Sequence, residues 1–218
     1  VESFGRGAYI LPGDKVEWPG GVYALQHQLN LGVHAGAKTS LALQGYSHYI
    51  PVRGYLPTVH LFGTRGEKLP AWFKKAGWKS NIYYTTGKLF NKRMEETLIP
   101  YEYRDFSIML SCAERAAVEL AYLAPKHQGI DEMIKLLENL PSLRPQKVQQ
   151  LLESCTSIKA TRLFLYAADT AGHAWQQHVD TAYLDLGKGR RHIVKEGHVN
   201  KKYNIKVPGR DEDKYGEF

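Results

Sequence analysis

The first half of the chain alternates apolar and polar residues with the two-residue period of β-strands. The run TVHLFGT, residues 58–64, predicts one strand, and the tyrosine-, isoleucine- and threonine-rich runs SNIYYTT and TLIPYEYRDFSIML predict more. Residues 33–35 predict a short buried strand. Three stretches between them have helical spacing. The first places Val22, Leu25 and Leu29 on one face, and the others are TSLALQGY and LPAWFKKAGW.

Helical spacing dominates from Ser111 onward. Ser111 and Glu114 have the S-x-x-E form of a capping box, and an alanine- and leucine-rich stripe follows them. Three further helices are predicted in IDEMIKLLENL, in the stretch beginning at Pro145, and in SIKATRLFLYAADTAGH, which ends at Gly172. The run AYLDLGKGRRHIVKEGHVNKKYNIKVP then returns to strands. This partial segregation predicts an α+β fold: mixed sheet elements followed by a helical segment and a C-terminal β-hairpin region.

The first dozen residues contain a Gly-Arg-Gly turn. Phe4 precedes this turn and the short apolar run AYI follows it, a pattern that predicts half of a β-hairpin. Pro12 and Gly13 then end the strand, because proline cannot donate to a ladder and glycine favours a turn. A domain rarely begins with the second half of a hairpin, so these residues are interpreted as the end of a preceding element.

Charge is distributed unevenly along the 218 residues. The formal net charge of +7 favours an acidic partner such as nucleic acid, an anionic surface or an acidic protein. Near the C-terminus a single acid, Glu196, lies among these cations: Lys188, Arg190, Arg191, Lys195, Lys201, Lys202, Lys206 and Arg210. Two interpretations stay open. The cations contact phosphates while Tyr203 stacks on a base, or they are the solvated face of an amphipathic hairpin.

Catalytic and metal-binding motifs do not stand out. Asp169, His173 and His178 lie near one helix end, but the histidines are five residues apart, which favours a helix C-terminus over a metal site. Cys112 and Cys155 form no C-x-x-C pair and are predicted to be free thiols in a reducing cytoplasm. No apolar run is long enough to cross a membrane. We therefore predict a cytoplasmic protein that is no enzyme and has no metal, cofactor or membrane partner.

Eight motifs occur in a register that resembles the AbiEi family of bacterial antitoxins from type IV toxin–antitoxin (abortive infection) systems. They are GRGAYILPGD, AKTSLALQGYSHY, VHLFG, LPAWF, SCAERAAVEL, TRLFLYAADTAGHAW, YLDLGKGRRHIV and NKKYNIKVP. The resemblance spans residues 5–208. Ala113 and Ala174 stand where the family often has proline. These two departures affect only how the local helices begin.

The resemblance implies a winged helix-turn-helix that binds operator DNA, followed by a region that counters a nucleotidyltransferase-like toxin. Residues 1–14 are then a wing-strand remnant, residues 15–110 the α/β half of the antitoxin region, and residues 111–218 a helical half with a basic C-terminal hairpin. The helices before the wing were lost by truncation or were never part of this member. The full-length protein is expected to repress its own operon and to neutralise the toxin directly or indirectly.

No catalytic residue follows from the resemblance. Five polar residues lie in motifs otherwise explained by packing, and they are expected to be exposed candidates for partner contact: Lys38, Gln44, Arg115, Glu119 and Arg162. A surface i,i+4 ion pair is the alternative for Arg115 and Glu119. Contacts to nucleic acid or to the toxin are predicted for Arg6, Lys38, Lys188, Arg190, Arg191, Lys201 and Lys202.

Two other functions compete with the antitoxin hypothesis. The first is a nucleic-acid-binding transcriptional regulator that acts through the basic C-terminal hairpin. The second is an enzyme that acts on a nucleotide or on the toxin, which a metal or nucleotide bound near Asp169 and His173 would indicate.

Overall fold

A computed structural model describes residues 2–5, 8–10, 12–13, 15–46, 56–92 and 94–209. The chain divides into two compact units. The sheet unit comprises Val1–Lys88 and Arg93–Cys112, and the helical unit comprises Leu89–Lys92 and Ala113–Phe218. The domain boundaries expected from the sequence, 1–14, 15–110 and 111–218, stay a prediction.

The sheet unit begins with a complete β-hairpin. Strands β1 (Glu2–Gly5) and β2 (Ala8–Ile10) pair antiparallel with a bulge, so the expectation of half a hairpin is wrong. The Phe4 ring lies 6.1 Å from the Trp72 ring and 5.7 Å from that of Trp78, which attaches the hairpin to the rest of the unit. Aromatic pairs at such separations add to the apolar area that they bury.

The remaining elements of the sheet unit follow in chain order. They are α1 (Trp18–Tyr23), β3 (His34–Ala35), α2 (Ala37–Leu43), β4 (Thr58–Gly63), α3 (Ala71–Lys75), β5 (Asn81–Thr86), β6 (Leu98–Tyr103) and β7 (Phe106–Ser111). The five strands β3 to β7 form one mixed sheet in the order β5-β4-β3-β7-β6. Strands β4 and β5 pair in parallel, as do β3 and β7, whereas the β3–β4 and β6–β7 pairs are antiparallel.

Helix α1 continues as a π-helix over Ala24–Gln28, and this change of pitch alters which side chains face the core. Leu25 is fully buried, but Leu29 is 43% exposed, so the prediction that the two share a face is wrong. The Gln26 amide donates to the Val33 and Met109 carbonyls at 2.7 and 3.2 Å and accepts from Met109 N at 3.0 Å. The side chain thus ties the helix to the middle of the sheet.

One apolar core lies between the sheet and its helices. Its buried members come from both helices and strands, and they include Val22, Leu25, Ala35, Val59, Leu61, Trp72, Phe73, Ile108 and Leu110. Alternate strand residues supply this face, as the two-residue period predicts.

In its described residues, the helical unit has four α-helices and a small sheet. The elements are α4 (Ala113–Leu123), α5 (Ile130–Glu138), α6 (Pro145–Ser154), α7 (Ile158–Ala171), β8 (Arg191–His192), β9 (His198–Asn200) and β10 (Ile205–Val207), with 3₁₀ turns at Ala174–His178 and Thr181–Tyr183. Helix α7 packs against α4 and α5. Ser157 caps its start by accepting from Ala160 N, and Gly172 ends it in the left-handed conformation, with φ of 71°.

The small sheet has the order β8-β10-β9. Strand β9 pairs antiparallel with β10, which is the C-terminal hairpin expected from the sequence, and β8 adds to β10 in parallel. The predicted α+β class is confirmed. No helix in the part of the chain that the structure describes has the length and apolar character needed to cross a membrane.

Candidate nucleic-acid interface

Arg162 on α7 is the buried centre of the C-terminal region. Only 3% of the residue is exposed, so the expectation that it is an exposed partner contact is wrong. Its guanidinium donates to four backbone carbonyls: Leu186 (2.6 Å), Gly189 (2.7 Å), Gly187 (3.0 Å) and Asn204 (3.1 Å). Burial lowers the pKa of Arg162, and the nearby charge of Arg191 acts in the same direction.

These hydrogen bonds bring two basic turns together. The same nitrogen, Nη1 of Arg162, donates to the carbonyls of Gly189 and Asn204, which lie in the turns before β8 and β10. Because β8 and β10 run parallel, with Arg191 opposite Ile205, both turns emerge at the same end of the small sheet. Arg191 N donates to the Asn204 carbonyl at 3.0 Å and completes the connection.

Five of the cations predicted from the sequence therefore lie at one end of the small sheet. We call this group the basic surface; its members, all exposed, are Lys188, Arg190, Arg191, Lys201 and Lys202. Lys202 forms an ion pair with Asp169 at 2.7 Å, and this hydrogen bond raises the pKa of the lysine. Lysine and arginine side chains are the usual donors to phosphate groups.

Glycine is required where the chain enters the basic surface. Gly187 and Gly189 have φ values of 59° and 74°, a left-handed conformation that side chains disfavour. A Cβ atom at Gly187 would lie 2.5 Å from Ile158 Cδ1, so a larger residue would also collide with α7. The carbonyls of both glycines accept from Arg162, and the neighbouring side chains of Lys188 and Arg190 are exposed.

The structure corrects the interpretation of Tyr203 and shows a second, exposed tyrosine, Tyr183. Tyr203 is only 4% exposed, so the interpretation that it stacks on a base is wrong. Tyr183, in the turn that precedes the basic surface, is 75% exposed. Its sequence context, TAYLDL, gives no periodic signal of that exposure, although an aromatic residue next to a basic segment is typical of nucleic-acid-binding surfaces.

The two described candidates in the sheet unit, Lys38 and Gln44, are both half-buried, so the expectation that they are exposed is wrong. The Gln44 amide donates to the Ser40 and Ser111 carbonyls at 3.1 and 3.0 Å, which ties the end of α2 to β7. Lys38 lies half-buried on α2. Arg6 lies outside the described residues. A partner contact for any of these three residues stays a prediction.

Arg115 and Glu119 form the i,i+4 ion pair that was the alternative to partner contact. Arg115 Nε lies 2.9 Å from Glu119 Oε1, and the Arg115 guanidinium lies 5.0 Å from the centre of the Phe90 ring. Glu119 is fully buried, so the expectation of an exposed carboxylate is wrong. This pair belongs to the interior of the helical unit, where ion pairs need such geometry to offset the loss of hydration.

The histidine and cysteine residues that were considered as metal ligands or disulfide partners make ordinary structural contacts. The described ranges contain no group of three or more histidine, cysteine, aspartate and glutamate side chains placed to hold a metal ion. His173 Nε2 lies 2.9 Å from the Leu137 carbonyl oxygen. Cys112 is buried and Cys155 half-buried, both as free thiols, and burial raises the pKa of Cys155.

Two family models together match nearly the whole chain. Residues 57–208 match the model described as the transcriptional regulator AbiEi antitoxin of type IV toxin–antitoxin systems. Residues 1–52 match the model of the AbiEi antitoxin N-terminal domain of that regulator. The chain therefore belongs to the AbiEi antitoxin family of transcriptional regulators, and the family prediction is confirmed.

A solved structure has the same fold. The crystal structure of the RV2827C protein from Mycobacterium tuberculosis matches with a TM-score of 0.64 and 14% sequence identity, over 91% of this chain and 71% of that chain. At this identity the likeness describes the fold alone. A search of curated proteins found no match.

Proposed function

We propose that this chain is a non-catalytic antitoxin that counters a nucleotidyltransferase-like toxin, directly or indirectly. The observation that carries the proposal is the family match over residues 57–208, which is described as an antitoxin. Three polar side chains make their contacts inside the helical unit: Arg162, Arg115 and Glu119. Such contacts are consistent with a protein that acts as a scaffold. We further propose that the full-length protein binds operator DNA and represses its own operon.

Co-expression tests the antitoxin proposal. The chain is produced together with the nucleotidyltransferase-like toxin encoded beside it, and growth is compared with that of cells producing the toxin alone. We expect the chain to restore growth. A toxin inactivated by substitution is the matched control for expression burden. If neither this chain nor a version extended at its N-terminus restores growth, the proposal is wrong.

The basic surface supports a second function, binding of nucleic acid by a transcriptional regulator. Its five exposed cations lie at one end of the small sheet, and one of them, Lys202, is paired with Asp169. Phosphate contacts release counterions, so the logarithm of affinity falls by about 0.9 per contact for each tenfold rise in salt. The number of contacts can therefore be measured.

Charge reversal tests this second function. In the double variant Arg190→Glu/Arg191→Glu we expect weaker nucleic-acid binding and a salt slope smaller by about 2, because two phosphate contacts are removed. The double variant Lys74→Glu/Lys75→Glu changes the net charge equally at two exposed lysines of α3 and is the matched control. Equal losses of affinity in both variants would show that net charge alone causes the effect. Unchanged binding in Arg190→Glu/Arg191→Glu would exclude the basic surface as the binding site.

A further inference from the structure

The basic surface is preceded by an exposed aromatic ring. We propose that Tyr183 and the basic surface together bind single-stranded nucleic acid, with one unpaired base stacked on the Tyr183 ring and the phosphates on the cations. The inference rests on the proposed nucleic-acid function and adds to it the class of ligand and a further binding residue.

Tyr183 is the most exposed large hydrophobic residue that the structure describes. At 75% exposure it exceeds Tyr9 (68%), Leu56 (53%) and Leu29 (43%). Single exposed aromatic side chains are common on protein surfaces, so exposure alone indicates nothing. What distinguishes Tyr183 is how firmly its backbone is held and what lies next to it.

The turn that carries Tyr183 is anchored on both sides. The Gln149 amide donates to the Asp180 carbonyl at 3.1 Å and accepts from Asp180 N at 2.9 Å. Asp180 Oδ1 in turn accepts from Ala182 N at 2.9 Å and caps the 3₁₀ turn Thr181–Tyr183. Leu184, the next residue, is buried. A ring displayed on a held backbone loses little conformational entropy when a ligand stacks on it.

The ring and the cations are close enough to bind one strand. An extended chain spans at most about 3.6 Å per residue, so the Cα atoms of Tyr183 and Lys188 lie within about 18 Å of each other. The hydrogen bonds from Arg162 to Leu186, Gly187 and Gly189 curl the intervening chain around one side chain. Single-strand sites cover roughly four to sixteen nucleotides, so both features fall within one such site.

The chemistry favours unpaired bases over a duplex. In a duplex each base is stacked between its neighbours, and only its edges are accessible in the grooves. An aromatic ring gains by stacking on the face of a base, which is accessible in single strands, loops and ends. The lysine and arginine side chains contact phosphates in either case, so Tyr183 is the feature that discriminates.

Fluorescence anisotropy with labelled oligonucleotides tests the inference. The full chain is titrated into a twelve-nucleotide RNA, a DNA strand of the same sequence, and the corresponding DNA duplex at one salt concentration. We expect tighter binding to the single strands than to the duplex. The variant Tyr183→Ala should lose about thirtyfold in single-strand affinity, the middle of the range for one base stacked on an aromatic ring, with little change for the duplex. The RNA and DNA arms identify which single strand is preferred.

Two variants control for indirect effects. Tyr183→Phe keeps the ring and should bind the single strands within about twofold of the unsubstituted chain, since stacking depends on the ring face. Tyr9→Ala removes a similarly exposed ring in β2 and should leave single-strand binding unchanged. Circular dichroism confirms that each variant is folded.

The outcomes separate the inference from the proposed function. If Tyr183→Ala binds single strands normally while Arg190→Glu/Arg191→Glu weakens binding, the stacking role is wrong and the nucleic-acid function stands. Equal losses for single strands and duplex, or tighter binding to the duplex, also overturn the stacking role. If the unsubstituted chain binds none of the three oligonucleotides, the nucleic-acid function itself is wrong.

Discussion

The sheet unit and the helical unit bury different kinds of polar side chain. Among the described residues, the buried polar side chains of the sheet unit are hydroxyls and imidazoles: His34, Thr39, Ser40, His60, Thr97 and Ser111. The buried glutamates and the buried arginine all belong to the helical unit: Glu114, Glu119 and Arg162. A charged group is expensive to bury unless it is paired or fully hydrogen-bonded, so the helical unit depends more on individual side-chain partners.

The length of the strands accounts for the buried arginine. Strands β4 and β5 pair over six residues, from Thr58–Asn81 to Gly63–Thr86, so the ladder itself provides partners for many of their backbone groups. Strands β8 to β10 have two or three residues each, so the turns around them need other donors. Arg162 supplies those donors. Loss of a buried charged side chain should therefore damage the helical unit, whereas truncation of a buried apolar side chain should damage either unit.

The largest effect is expected from Arg162→Met. This change removes the hydrogen bonds of Arg162 to four backbone carbonyls, among which that of Asn204 still accepts from Arg191 N, and we expect the helical unit to lose at least about 3 kcal/mol in free energy of unfolding. The measurement is hydrogen–deuterium exchange of residues 186–207 together with urea unfolding. Nucleic-acid binding through the basic surface should fall as well, because both turns lose their common attachment.

Two variants sharpen the Arg162 prediction. Arg162→Lys should be intermediate, since one ammonium cannot reach the carbonyls that a planar guanidinium binds together. Arg190→Met removes an exposed cation and should change the unfolding free energy by no more than ~0.5 kcal/mol. An Arg162→Met variant with unchanged exchange in residues 186–207 would contradict the distinction between the two units.

The next effect in size is expected in the sheet unit. Leu61 is fully buried in β4, and Leu61→Ala should destabilise the unit by about 3 kcal/mol, through lost apolar burial and the cavity that remains. Urea unfolding followed by tryptophan fluorescence measures it, because Trp18, Trp72 and Trp78 all belong to this unit. Leu29→Ala, at a leucine that is 43% exposed, is the matched control and should stay within ~0.5 kcal/mol.

The smallest effect concerns a second cation of the helical unit, Lys159. Its Nζ donates to the Tyr122 carbonyl at 2.6 Å and to the Ala124 carbonyl, at the end of α4. Burial lowers the pKa of Lys159 from 10.5 to about 8. Between these two values the unfolded chain binds a proton that the folded chain has released, so the unfolding free energy should rise with pH in that window, by roughly 1 kcal/mol after allowance for partial exposure.

Comparison with Lys159→Met isolates this contribution. Urea unfolding of both proteins at about pH 7.5 and about pH 10 gives the difference in pH dependence, in which groups common to both proteins cancel. We expect the unsubstituted chain to gain stability relative to the variant as pH rises. A difference that stays constant, or that falls with pH, would show that Lys159 keeps its proton in the folded chain throughout this range.

Much of the fold follows from local patterns. The period of two in TVHLFGT and SNIYYTT and the helical spacing of SIKATRLFLYAADTAGH determine β4, β5 and α7, because each pattern has one apolar face to bury. Where local spacing changes, as in the π-helix after Tyr23, the pattern misplaces Leu29. The family could be recognised for a similar reason, since its motifs are short and keep their order along the chain.

The sequence predicts which segment forms the candidate site, but it does not predict how the side chains of that segment are oriented. The run from Lys188 to Lys202 is visibly basic, but the direction in which each side chain points depends on contacts between residues far apart in the chain. The Arg162 side chain is buried because its guanidinium donates to carbonyls of the two turns, which lie 24 to 42 residues away in the chain. The parallel pairing of β8 with β10 brings Lys188 and Lys202 to one end, and no periodicity encodes that choice.

The class of fold, the family and the excess of positive charge near the C-terminus can all be inferred from the order of the amino acids. The burial of Tyr203, the exposure of Tyr183 and the joining of the two basic turns by one arginine follow from long-range packing. The two groups of features differ because periodicity reports only how a residue relates to its neighbours along one helix or strand. Burial and hydrogen bonding between turns depend on which distant segments meet, and that is settled only when the whole unit packs.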